Sequence, residues 1–502
     1  MNNTIIRPLR ILAFSMIFLL LTGPAVFSQK LVSEIEDQDW NIMASRSFTR
    51  HAHVNNSVSF KASLEGFRSS IIMLSENEAA AIVSIGGKEH GVMKFDDKMR
   101  IIWQTTLPGE PYLLFRFYDD LLAFVDIGKR YAREYQLFFI NPATGNIRKQ
   151  AKYYDLEKFN ITSPETNFYP LYNKTSGEYK LCIRHFDKKE KELTLSMNMI
   201  TFDKDYNIIA NDLVPVLNSG YFVDCGLNSN GDFVLLSMSE TGMLTAQAFG
   251  AKTWIPKTKI SLDLPIKDKS RYRAGLRFSS HTAENVFVFA EYTNKDKEAL
   301  SAVFKLNFAR GTYASREMGL DKKAVKEISG NYRPEKGMKR PDFGSWDNMR
   351  FADIIDHGDR IVIFREVLSA YGSQTRTYTT TGDAFLSIMD KDMKPVADAV
   401  IPKKFVTTSA EGISSALHVH NNNLLVISGN GDRDGLLANI DIQTGRINKI
   451  ETLEKQSIRS KYPCEPRATL WFKNGFAVPY IDPDVKISGV YRLQTNLQLY
   501  NY

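Results

Sequence analysis

The strongest constraint in this chain is a recurring pair of signals: a polar or glycine-containing turn, then a short apolar run. The runs fall at 79–85, 121–125, 179–183, 233–236, 286–290, 361–364, 424–427 and 476–480. The turns before them read SENE, YDD, TSGE, NSNGD, TAEN, DHGD, HNNN and KNG. Each run is four to seven residues long and rich in Val, Ile, Leu and Phe. Segments this short and this apolar, bounded by turn formers, fit strands buried on both faces rather than helices.

A second periodic feature follows each run. An apolar strand ends in Asp or Asn, turns and restarts, as in MKFDDKMRIIW (93–103), FFINPATGNI (138–147), MITFDKDYNII (199–209), VFKLNFARGTY (303–313), LSIMDKDMKPV (386–396) and NIDIQTGRI (439–447). AQAFGAKTWI (246–255) and VYRLQTNLQLY (490–500) are degenerate seventh and eighth instances. Asp and Asn side chains accept hydrogen bonds from the backbone that follows them, and Gly145 and Gly445 supply positive φ, so these turns have a mechanism. Each unit therefore holds two hairpins, or four short antiparallel strands. Such units repeated about a centre are the blades of a β-propeller, and radial closure protects the strand edges that a row of sheets would expose.

With Ala80, Leu122, Lys180, Phe233, Val286, Ile361, Leu424 and Phe476 as markers, the steps are 42, 58, 53, 53, 75, 63 and 52 residues. Their mean of about 57 is a little above the ~40–50 of familiar propeller repeats. The predicted class is thus all-β, a β-propeller of four-stranded antiparallel blades. Eight blades are preferred and seven are the alternative, since one merged or missed unit changes the count. The hairpins at 141–147 and 441–447, and the strand DDKMRIIWQ carrying Trp103, resemble blades of WD40-type and quinoprotein-type propellers. The resemblance covers roughly 70–502 and is one of architecture, with no shared functional motif.

Composition agrees with this class. The 502 residues are 43% hydrophobic and 24% charged, which argues against a disordered or collagen-like chain. Aromatics at 12% favour strands. A net charge of +7 is too dilute for a nucleic-acid partner without a concentrated patch.

The amino terminus carries an address. Arg7 and Arg10 form a basic region, 11–21 an apolar stretch, and Gly23 and Pro24 a helix break. Val26-Phe27-Ser28 then supplies short side chains at the −3 and −1 positions. This is a secretory signal pattern over 1–28, with cleavage expected after Ser28. The alternative is an uncleaved anchor, but the apolar run is shorter than the ~20 residues a helix needs to cross a bilayer. The expected location is secreted, periplasmic or cell-envelope associated, with no transmembrane segment after cleavage. Residues 29–68 form an N-terminal extension in which SVSFKA (57–62) alternates like a strand that helps close the ring. The propeller occupies 69–502, with an insertion at about 320–350 where the repeat is stretched. Seven Lys or Arg lie there before Pro341, in a Pro/Gly-rich segment. Long insertions in repeat folds gather on one face, where binding loops are found.

Three cysteines, Cys182, Cys225 and Cys464, leave at least one thiol unpaired or intermolecular in an exported chain. Cys182 reads as a buried thiol in a strand, and export permits a Cys182–Cys225 bridge.

Candidate chemistry is sparse. His418 and His420 share one face of a predicted strand, a geometry suited to a divalent metal that still needs a third ligand. His51 and His53 have the same spacing. Asn430-Gly-Asp432-Arg-Asp434-Gly435, followed by Asp441, superficially fits a calcium loop, but flanking strands would carry Asp441 away, so a charged hairpin tip is the expected reading. The acid pairs Asp96-Asp97 and Asp119-Asp120 fall in predicted turns, where solvated carboxylates are the default. No nucleophile elbow, zinc-binding helix or phosphate loop occurs. The vicinal cysteines and tryptophan-docking motifs of quinone-dependent dehydrogenases, and the SxDxGxTW boxes of sialidases, are also missing. No cofactor is called for. The function expected is a binding or scaffold module for a protein, glycan or envelope component. The alternative is a hydrolase or lyase acting on polysaccharide or peptide, assembled from carboxylates on separate blades.

Overall fold

The computed structural model describes residues 42–51 and 71–502, less 87–88, 118, 129–134, 153–166, 173–178, 190–191, 204, 214–220, 229–231, 240–241, 251–254, 263, 265–272, 280–284, 294–298, 319–348, 374–375, 408–414, 431–433, 454–463, 483–485 and 488–489. Its strands form eight antiparallel blades in chain order. Seven of them span 71–107, 110–152, 167–213, 221–262, 273–318, 349–401 and 416–453. The eighth is composite. Leu470–Phe472, Gly475–Asp482 and Val490–Asn501 supply three strands, and Ile42–His51 from the N-terminal region supplies the fourth.

This corrects one expectation. The segment 490–500 is not a hairpin but one uninterrupted strand, paired on one side with Gly475–Asp482 and on the other with Ile42–His51. The strand that closes the ring is therefore Ile42–His51, whereas 57–62 lies outside the described residues. Closure runs in a regular register from Ala44 opposite Leu499 to His51 opposite Arg492. A chain that ends one strand short completes its last sheet from its own beginning, which leaves no open edge there.

The eight apolar runs all form the second strand of a blade, and the ring explains why they do not alternate with polar residues. Each faces a neighbouring blade on both sides. In blade one, Ala79, Ala81 and Val83 pack toward blade eight, while Ala80 and Ile82 pack toward blade two. In blade five, Val286, Val288 and Ala290 face blade four, and Phe287 and Phe289 face blade six. Blade seven repeats the division, with Leu424 and Val426 toward blade six and Leu425 and Ile427 toward blade eight. The core is thus a set of seams between blades. Each buried Val, Leu, Ile, Met or Phe side chain in them contributes about 1.5–3 kcal/mol.

Outer strands show the opposite pattern. Thr312–Met318 is exposed at every residue but its last, and Ile101–Leu107 is half-exposed or exposed along most of its length. The turns leading into them come in two versions. In blades one, three and six, Asp96, Asp203 and Asp390 accept hydrogen bonds from backbone amides two and four residues on. The residue after the bend, Met99, Tyr206 or Met393, then adopts φ of 62°, 63° or 65°. Non-glycine residues rarely take this conformation, and here each of the three side chains is buried. Met99 reaches blade eight, Tyr206 blade two and Met393 blade five, so the turn pins each blade to the one before it. In blades two and seven the same position is Gly145 or Gly445, with φ of 77° or 72°. A Cβ on Gly445 would lie 2.6 Å from the Cβ of Ala397, so the preceding blade occupies the space a plug would fill.

Connectivity gives the disc two unlike ends. Turns between first and second strands, and between third and fourth, lie at one end. The connections from second to third strand and those from blade to blade lie at the other, and the blade-to-blade segments, such as that from Met318 to Met349, include the longest. First strands of neighbouring blades meet around the axis, as between blades one and two, three and four, and four and five, and contacts between blades one and eight complete the circle.

Candidate functional site

His418 and His420 lie on Ala416–His420, the innermost strand of blade seven, at the short-turn end. Alternation sends Leu417 and Val419 toward blade six and both imidazoles toward blade eight. There they join aromatic rings. His418 stacks on Trp471 at 4.7 Å between ring centroids, and His420 on Tyr502 at 4.0 Å. The two imidazole centroids are 6.5 Å apart. Burial, with His420 beside it, pulls the pKa of His418 down to about 4. With its pKa so lowered, the His418 ring is neutral at physiological pH, the form that burial favours. Among the described residues, no group of three or more His, Cys, Asp or Glu side chains is gathered to hold a metal ion. His51 ends the closing strand, and His53 lies outside the described residues.

Of the NGDRDG segment, 431–433 lie outside the described residues, and Asn430 pairs with Asp434 across two antiparallel strands. Asp441 sits at the far end of the strand that begins at Asp434, opposite Asn423. Its carboxylate accepts bonds from the Thr444 amide at 2.8 Å and hydroxyl at 3.0 Å, which hold its pKa below the ordinary value. Asp441 thus organises an outer turn.

One acid pair corrects the solvated reading. Asp120 is fully buried, accepting a hydrogen bond from the Tyr206 hydroxyl of blade three, with Arg148 Nε 3.3 Å away. Burial, and then the Asp120 bond, push the Tyr206 phenol well above its ordinary value. The pair links blades two and three. Asp96 also has a defined task, bonding the Lys98 and Arg100 amides and the Arg100 guanidinium. Cys225 and Cys464 are buried, and the side chain of Cys182 lies outside the described residues.

A concentration of charge that no sequence motif marks lies at the long-connection end of blades five to seven. Glu291, on the second strand of blade five, lies 3.2 Å from Arg273 Nη1 on the first strand. Its other oxygen accepts the Phe351 amide of blade six. Burial raises the Glu291 pKa against the pull of Arg273, the Phe351 amide, Arg350 and Arg365. Arg365 is buried over the Phe385 ring at 4.9 Å, with Nη1 3.5 Å from the Met318 carbonyl. Burial lowers its pKa to about 10, against the pull of Asp398 and Glu291. On the blade-seven side, Lys403 Nζ lies 2.7 Å from Glu366, which also accepts the Ser415 hydroxyl. Other acids near the axis are similarly committed. Asp224 accepts the Leu276 amide of blade five at 2.9 Å, Asp353 the Arg277 guanidinium at 3.1 Å, and Asp356 the Asn285 amide group at 3.1 Å. Each of these carboxylates fastens one blade to the next.

The insertion itself lies outside the described residues, but both of its anchors are in this region. The chain leaves blade five at Met318 and enters blade six at Met349, both buried.

The blades and seams define the protein as a β-propeller. No family model and no curated protein matches the chain. Solved structures of similar outline include the WD40 domain of SCAP from fission yeast, at 8% identity and TM-score 0.41, over 86% of this chain and 95% of that one. The Nup133 β-propeller domain of Vanderwaltozyma polyspora aligns at 9% identity and TM-score 0.37, over 94% and 99%. BamB from Moraxella catarrhalis aligns at 12% and 0.33, over 70% and 78%. These likenesses single out no family within the fold. Among the described residues, no helix is long and apolar enough to cross a membrane.

Proposed function

We propose that this chain is an exported propeller that acts as a binding or scaffold module for a protein, glycan or envelope component. Its contact surface is the long-connection end around blades five and six. The carrying observation is the placement of the anchors: the basic insertion departs and returns beside Arg273, Arg350 and Arg365, at the end where the connections are longest. Export is supported by the signal pattern over 1–28. A rigid disc with variable connections at one end suits recognition, because the seams fix the surface while the loops vary. Among the described residues, Asp224, Glu291, Asp353, Asp356 and Glu366 favour binding over hydrolysis, since each of these carboxylates is occupied in joining blades.

The test is cross-linked capture by the tagged mature chain from its native envelope fraction, alongside a variant with 320–340 replaced by a short Gly-Ser linker. The expected result is a stoichiometric partner that is lost in the variant. A partner retained by the variant would place the surface elsewhere. No partner in either sample, together with turnover of a polysaccharide or peptide substrate, would replace this reading with the hydrolase or lyase one.

A further inference from the structure

We propose that blades five and six form an oxyanion-binding site at the long-connection end of the channel wall, with Arg273 and Arg350 as the recognising groups. The proposal rests on the binding reading above and names the chemistry of the ligand taken at that end. Arg273 is the first residue of Arg273–Phe278 and Arg350 the second of Met349–His357, the innermost strands of adjacent blades. Both side chains are partly open, with 27% of the Arg273 side chain exposed. Arg350 is close enough to Arg273 to disfavour its charge, and both lie within electrostatic reach of Glu291. Glu291 is engaged on both oxygens, by Arg273 and by the Phe351 amide. Arg350 is left bonding the Met349 carbonyl at 3.1 Å, with no carboxylate in salt-bridge range among the described residues.

Behind them, Arg365 is buried at 3% exposure, and its Nε has no hydrogen-bond partner among the described residues. Among the described residues, three guanidinium groups therefore act on the Glu291 carboxylate, and Arg365 also feels Asp398. Like charges held in a partly desolvated wall are costly unless an anion joins them. Guanidinium forks match the planar or tetrahedral oxygens of carboxylate and phosphate, and a charged wall with open access concentrates such ions. The ligand is a small oxyanion, or the anionic end of a larger partner.

The experiment is calorimetric titration of the mature chain with inorganic phosphate and, separately, with succinate, at fixed ionic strength set by chloride. Wild type is compared with R350Q and with R310Q, a change at an exposed outer turn of blade five. At least one anion is expected to bind with a stoichiometry of one. R350Q should weaken it at least tenfold, and R310Q should leave it unchanged. Binding of phosphate alone points to a phosphorylated ligand, and of succinate to an acidic peptide or acidic glycan. If R350Q does not fold, R350K keeps the charge without the fork and should still weaken binding severalfold. No binding of either anion, or wild-type binding by the folded Arg350 variant, overturns the proposal. Because no partner is needed, its failure is distinguishable from failure of the capture experiment.

Discussion

Between blades seven and eight, Trp471, His418, Tyr502 and His420 stack above an interior of Tyr480, Tyr500 and Phe476. Between blades five and six, Phe289 and Phe351 also stack, at 3.8 Å, but the upper part of the seam is ionic, with Glu291, Arg273 and Arg365. The two seams do the same mechanical job with different sensitivities. The aromatic seam tolerates desolvation because its imidazole is kept neutral. In the ionic seam, charged groups stay buried and each depends on the others. A seam whose only role is to join blades is served well by rings, and the ionic one is the sector to which we assign the proposed binding surface.

The largest effect that would sharpen this contrast comes from removing the shared carboxylate. E291A leaves Arg273 and Arg365 short of a counter-charge and the Phe351 amide without its acceptor. It should cost about 3–5 kcal/mol, the range for breaking a buried ion pair on one side. A urea midpoint equal to wild type would show that the seam does not depend on Glu291. In the aromatic seam, W471A should cost about 2–3 kcal/mol, below the ~3–5 of a fully buried Trp because Trp471 is half-buried. Denaturation midpoints of the two variants, measured side by side, give the order directly.

A smaller effect separates the seams by sign. His418 has a folded pKa of about 4 against 6.5 when free, so the native state resists its protonation. The resulting stability is present above pH 6.5 and lost as pH falls toward 4. Glu291 is raised above its ordinary 4.5, so its contribution is greatest in acid and declines as pH rises through its folded pKa. Urea midpoints across pH 4.5–7.5 should therefore show H418F losing an acid-side decline of about 1–2 kcal/mol, after allowance for solvent screening. E291Q should lose a change of opposite slope. Parallel profiles for wild type and H418F would remove the histidine from the account.

What could be read from the sequence was whatever one blade decides for itself. Val286 and its neighbours read as a doubly buried strand because five consecutive apolar residues leave no polar face, and Asp441 and Gly445 marked their turn by local backbone chemistry. The misread features depend on a second blade. Asp120 follows a turn and looks solvated, but a tyrosine 86 positions later covers it. Glu291 and the Phe351 amide are 60 positions apart. The last hairpin was misread for the same reason, since its fourth strand comes from the other end of the chain. Ile42–His51 itself, IMASRSFTRH, has no long apolar run to announce it.

The central claim, an eight-bladed ring closed by the N-terminal strand, is tested most directly by trapping that register with a disulfide. Two paired-cysteine variants, S47C/N496C and F48C/T495C, cover neighbouring positions of the ladder. Antiparallel pairs alternate between hydrogen-bonded and non-bonded geometry, so one of the two has the closer Cα spacing. The account predicts that at least one variant forms an intramolecular bond under mild oxidation and unfolds at a higher temperature than its reduced form. If neither forms an intramolecular bond in the folded protein, Ile42–His51 does not close the ring.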